Sequence, residues 1–177
     1  MQFLDIFSDH HAELGGKRYA CALGRSGIRA DKVEGDGITP AGTWKVLRVY
    51  YRPDRLDAPQ TALPLEQITP DLGWSDDSED PEHYNQPVYL PYPYSHEKLW
   101  RKDHLYDIVV DLDYNRQDPT VGKGSAIFMH LSRDQSDSTA SHTRGCIAFR
   151  KQDLFDILAL LTPATLVSIH ASHTASK

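Results

Sequence analysis

The feature that most limits what this chain can fold into is its punctuation. Apolar runs reach only strand length before glycine, proline or a polar cluster cuts them, and a helical period persists in just one short segment. With 11 Gly and 11 Pro along 177 residues, the chain reads as mainly β, with one or two short helices. Lys17 to Leu23 predicts a first strand, closed by Gly24-Arg25-Ser26-Gly27, and Trp44 to Tyr51 predicts another, rich in aromatic and β-branched residues. Within Tyr106 to Tyr114, the residues Ile108, Val110, Leu112 and Tyr114 alternate as a half-buried strand would. Ser125 to Leu131 is an apolar run read as a buried strand that delivers His130 at its end, and polar loop follows from Ser132 to Arg144. Leu154, Ile157, Leu158 and Leu161 fall at helical spacing before Pro163, Leu166 to Ala171 reads as a last strand, and His173 to Lys177 as a frayed tail.

Length favours one domain, residues 1–177, large enough to bury a core. Residues 53–100 carry prolines, tyrosines and acids without a sustained period and read as a long insertion with short elements. Its Asp76-Asp77-Ser78-Glu79-Asp80 run is a solvated loop. Its aromatics, Trp74, Tyr84, Tyr89, Tyr92, Tyr94 and Trp100, serve either as packing or as a flap over substrate. A net charge of −6 argues against a partner held by charge, whether nucleic acid or anionic membrane, while leaving room for a local basic pocket. No run is long enough to span a membrane. His10-His11, His96, His104, His170 and His173 lack the spacing of a zinc site, and the glycines of residues 35–42 lack phosphate-loop spacing, so neither metal nor nucleotide cofactor is expected.

Two cysteines, Cys21 and Cys146, stand in such different contexts that they read as separate thiols. A thiol becomes a useful nucleophile when a neighbour takes its proton, normally a histidine brought near by the fold. His130 is the candidate base, since the loop after it returns the chain to Gly145-Cys146. Gly145 permits a tight turn, so the amides of Arg144, Gly145 and Cys146 could converge on a developing oxyanion. Cys21 has no such company and reads as packing.

His130 followed by Thr143-Arg144-Gly145-Cys146-Ile147 resembles the histidine-loop-[Ser/Thr]-x-Gly-Cys pattern of the L,D-transpeptidase catalytic domain, the YkuD family. Gly124-Ser125-Ala126-Ile127-Phe128-Met129-His130 supports the resemblance, as does Gly37-Ile38-Thr39-Pro40-Ala41-Gly42, which is similar to that family's Gly-x-Thr-Pro-x-Gly turn. The resemblance implies a β-sandwich or barrel with Cys146 as nucleophile, His130 as base, the carbonyl of Leu131 orienting the imidazole, and the 144–146 backbone as oxyanion hole. Thr143, Arg144 and Ser125 would contact substrate. It also implies a peptidoglycan stem peptide or muropeptide as partner: the thiol would attack the L,D-peptide bond before a terminal D-alanine and pass the acyl group to an amine or to water. Arg144 replaces the family's usual histidine and Ala148 its usual Asn or Arg, and the Arg144 guanidinium suits a bidentate clamp on a substrate carboxylate. The stretch after Met1 has no basic start, apolar run or cleavage site, so the chain reads as cytoplasmic, which favours an L,D-carboxypeptidase of recycled muropeptides. With a leader removed it would be periplasmic, which favours cross-linking. The alternative outside enzymes is a catalytically silent wall-peptide binding module.

Overall fold

A computed structural model describes residues 1–171, and the tail at His173 to Lys177 lies outside them. The chain begins as a meander of β1 (Phe3–Phe7), β2 (His11–Leu14) and β3 (Lys17–Ala20). Leu4, Ile6, Ala12 and Leu14 point inward at period two. The strand expected at Lys17 to Leu23 is therefore the third, and it stops at Ala20. Short β4 (Ile28–Arg29) and β5 (Thr39–Pro40) pair in parallel across the glycine-rich loop. The long β6 (Gly42–Tyr51) follows, then β7 (Leu65–Gln67), β8 (Leu72–Ser75), β9 (Pro87–Tyr89) and β10 (His96–Lys98) within the 53–100 segment. The last third holds β11 (Ile108–Leu112), β12 (Phe128–Leu131), β13 (Ile147–Phe149), the single α-helix α1 (Lys151–Leu160) and β14 (Leu166–Ile169).

The main sheet runs β13-β12-β11-β6-β14-β1-β2-β3, with β7 added to β6, and curls into a nearly closed barrel-like sheet. The fold is mainly β, as the punctuation predicts. Inside the curl, Leu154, Ile157 and Leu158 of α1 join Ile108, Val110 and Leu112 of β11, Met129 and Leu131 of β12, and Leu4 and Ile6 of β1 in one core. These helix positions are three and four apart, so they share one face, and each fully buried aliphatic contributes about 1.5–3 kcal/mol. Leu161 closes the helix just before Pro163.

The expectation of a half-buried strand at Tyr106 to Tyr114 is corrected. All five residues of β11 are buried, and Tyr114 lies beyond it in a turn. The alternation is real but has a core on both sides: Val109 faces a second cluster with Tyr50, Phe128, Leu72, Trp74, Leu99 and Tyr106. The 53–100 segment supplies much of that cover, through the antiparallel sheet β10-β8-β9. Trp74 is fully buried and meets Phe128 edge-on at 4.8 Å between ring centroids. Its acids brace loops: Asp77 accepts from the Ser95 amide at 2.7 Å and Asp80 from the Tyr92 hydroxyl at 2.6 Å. Of its aromatics, Trp74 and Tyr84 are packed, whereas Tyr89 and Tyr94 are exposed. The strand expected from Ser125 is also shorter, since pairing begins at Phe128, and the loop from Ser132 contains a 3-10 turn at Ser138–Ala140. No helix among the described residues is long and apolar enough to cross a membrane.

Candidate active site

Strand register brings His130 and Cys146 together. His130 is paired with Val109 on β11 and with Ala148 on the parallel β13. Cys146 lies two residues before Ala148, so period-two geometry turns its side chain to the face that His130 occupies. Both are nearly buried, at 7% and 8% exposure, and both line one cavity of about 770 Å³. The turn before Cys146 is clamped from the other side: Thr143 N donates to Leu23 O at 2.9 Å, Arg25 N to Thr143 O at 3.1 Å, and Ala22 bridges to Ala148. Gly145 sits at φ 144, and a Cβ there would come within 2.8 Å of Ile38 O. Only glycine fits that approach, so the Thr-Pro-containing loop serves as the floor under the cysteine turn.

The His130 tautomer follows from its partner. Nδ1 lies 2.9 Å from Leu131 O, and a carbonyl only accepts, so Nδ1 carries the proton and Nε2 is left as a base. Tyr106 packs edge-on against the ring at 5.2 Å, and its hydroxyl donates to Glu97 Oε2 at 2.9 Å. Burial pushes the imidazole down to about 4, outweighing the Leu131 bond that favours the protonated ring. It is therefore neutral at pH 7.

The Cys146 thiol donates to Ala126 O at 3.1 Å and accepts from Phe128 N at 3.4 Å, and among the described residues no hydrogen bond joins it to His130. Burial pushes the thiol up to about 12, with Glu97 adding to the effect and Phe128 N and Lys32 opposing it. Ala126, at φ 51, is held by Asn85, whose Oδ1 accepts from both Ala126 N and Trp74 Nε1 at 2.9 Å. Cys21 is also a free buried thiol, but it has no exposed surface and its proton is held by burial.

The other expected site residues also lie around this cavity. Arg144 is exposed on its wall and makes no side-chain hydrogen bond or ion pair among the described residues. Ser125 lines it and is 8% exposed. The Thr143 hydroxyl is used inside the turn, donating to Cys146 O at 2.6 Å and accepting from Gly145 N at 3.1 Å. Four residues that the sequence reading did not single out belong to the site or its support: Lys32, Glu97, Tyr106 and Asn85. No group of three His, Cys, Asp or Glu side chains gathers to hold a metal among the described residues.

The fold and the cavity define a mainly β protein with a thiol and a neutral imidazole facing one cleft. Residues 7–169 match the family model of the L,D-transpeptidase catalytic domain, YkuD, and the chain belongs to that family. Among curated proteins no relative matches it. Similar solved structures include an L,D-transpeptidase from Mycobacterium smegmatis, with 14% identity over 96% of this chain and 58% of that one, at a TM-score of 0.44. Another is the helical cell shape determining protein Pgp2 from Campylobacter jejuni, with 16% identity over 98% and 48%, at 0.46. The chain thus spans between 48% and 58% of the length of these two structures.

Proposed function

We propose that this protein is a cysteine acyl-transfer enzyme acting on the L,D-peptide bond of peptidoglycan tetrapeptide stems. The observation that carries the reading is the shared cleft of Cys146 and His130, with Nε2 of the imidazole free to act as a base. Substrate draws the thiol off Ala126 O. As Sγ attacks the carbonyl carbon, Nε2 takes the thiol proton, so a neutral pair becomes an ion pair only as the reaction proceeds. The oxyanion falls to the amides of Arg144 and Cys146, because that of Gly145 is turned back to Thr143 Oγ1. Collapse expels the D-alanine amine, which receives the proton from His130 and leaves a thioester on Cys146. Water or an amine then resolves it.

Substrate charge fits the cleft. Arg25, Lys32, Arg101, Arg133 and Arg144 line it, against the acids Glu34, Asp76 and Glu97, an excess of cations in an acidic protein. That excess suits a peptide rich in carboxylates. Ser125 and Arg144 are the side chains assigned to substrate, and Thr143 acts by bracing the turn.

Incubation with a disaccharide tetrapeptide, with and without an added D-amino acid, tests the reading by mass spectrometry. Tripeptide alone identifies hydrolysis, the activity suited to a cytoplasmic recycling role, whereas exchange or dimers identify transpeptidation. An unchanged tetrapeptide would overturn the enzyme reading.

A further inference from the structure

Lys32 has no part in the chemistry above, yet its burial requires an account. It lies between β4 and β5 with a side chain only 2% exposed, and an ammonium taken out of water costs several kcal/mol unless it is compensated. Part of the compensation is Asp36, whose Oδ1 lies 2.8 Å from Nζ. Asp36 is itself fixed by the amides of Val33 at 2.6 Å and Ile38 at 2.8 Å. The ion pair explains how the charge survives there, but not why the side chain is threaded where it is.

The stem runs between two glycines. A Cβ at Gly124 would stand 2.8 Å from Lys32 Cε, and one at Gly145 would stand 3.4 Å from Nζ. Both glycines have positive φ, 104 and 144, so any larger residue there would be strained as well as crowded. Lys32 lines the cavity and Asp36 does not, which puts the ammonium between its carboxylate and the cleft. Asp36 and, at 3.4 Å, Val33 O take two of its three donors. Glu97, Tyr106 and His130 line the cleft around Cys146, and Arg144 directly precedes the Gly145–Cys146 turn. Of these groups and Lys32, only Lys32 is a buried cation set against the Gly145 turn.

We propose that Lys32 is a positioning residue for the reaction: its ammonium, anchored by Asp36, packs against the Gly145–Cys146 turn and favours the negative charge that develops there. The inference rests on Cys146 being the nucleophile. A fixed cation near a buried sulfur stabilises the thiolate, and the same charge serves the oxyanion that follows.

The test is the rate at which iodoacetamide alkylates Cys146 at pH 8, located by peptide mapping, in wild type, Lys32→Met and Asp36→Asn. Lys32→Met keeps the stem and removes the charge, and should react about tenfold more slowly. Asp36→Asn removes the counter-charge and should react faster than wild type. Loss of structure around the turn would move both variants the same way, so opposite shifts identify the charge. A wild-type rate in Lys32→Met, or a slowed Asp36→Asn, overturns the inference. If Lys32→Met does not fold, Lys32→Gln, which also removes the charge, takes its place in the comparison. Wild-type protein that alkylates as expected yet releases no D-alanine from tetrapeptide would sink the proposed function and leave the Lys32 result standing.

Discussion

A neutral imidazole and a neutral thiol facing one cleft form an unusual resting state for the proposed cysteine nucleophile, and the pair sets the expected pH behaviour. Burial holds His130 down at about 4 from an ordinary 6.5, so the base becomes protonated only in distinctly acid solution. The kcat/KM profile should stay flat from pH 8 through 6 and fall to half near 4, and an acid limb at 6.5 would contradict the assignment. Stability moves the same way. The unfolded chain binds that proton first, so the His130 contribution to stability should fall as pH drops from 6.5 towards 4; because the raised Asp111 carboxyl works the other way, the readout is a wild-type Tm that declines relative to that of His130→Gln. The role proposed for the Arg144 side chain is in binding rather than bond-making. Arg144→Ala should raise KM several-fold with kcat little changed, and an unchanged KM would remove the carboxylate clamp from the account.

Cys146, His130 and Arg144 were legible because a local motif marks them. Asn85 and Glu97 were not, since both lie in the insertion, and no spacing in the sequence shows that residue 85 reaches residue 126. Tyr106 lacked a motif that would have tied it to His130. Lys32 sits in a loop of charged residues, where solvated lysines are the rule.

At the level of elements, the insertion is part of the core. β11 and β12 have apolar side chains on both faces, and the outer face is covered by Trp74, Leu72 and Leu99. Asn85 joins this cover to the site. Its Oδ1 accepts from Trp74 Nε1 and Ala126 N, and its Nδ2 donates to Tyr114 O at 3.2 Å and Asn115 O at 2.6 Å. Asn85→Ala leaves several buried groups without partners, and denaturant titration should show a loss of about 2–4 kcal/mol. Activity should drop too, because Ala126 O holds the thiol. A loss below 0.5 kcal/mol, by the scale of a single surface contact, would show the connection to be incidental.

β6, β12 and β14 lie within the expected runs or extend them slightly, and α1 covers the expected helical face. The two-sided burial of β11 escaped because Asp111 interrupts what would otherwise be a continuous apolar run. That carboxyl is buried beside Arg116 at 3.3 Å, and burial pushes it up to about 6. β1 and β2 escaped because they are short, although the Gly15-Gly16 pair between Leu14 and Lys17 is a hairpin signal.

For the molecule as a whole, charge is divided between surface and cleft. The chain carries −6 overall, while its cavity presents five cationic side chains against three acids. A substrate rich in carboxylates is repelled by the first and drawn by the second, and salt screens the exposed part of both. Raising the salt from about 0.05 to 0.5 M should raise KM for a tetrapeptide while leaving kcat unchanged, as screening over a Debye length requires. A KM that falls with salt would mean that the outer negative charge dominates encounter.

The proposed route of the acyl group runs through the sulfur of Cys146. Acid-quenched digests of the protein caught during turnover of a tetrapeptide, read by mass spectrometry, test it most directly. The expected result is a tripeptide thioester on Cys146 and none on Cys21, with no D-alanine released by Cys146→Ala and release slowed at least about a hundredfold in His130→Ala. Release of D-alanine by Cys146→Ala at a rate near wild type, with no acylated cysteine in either protein, would contradict it.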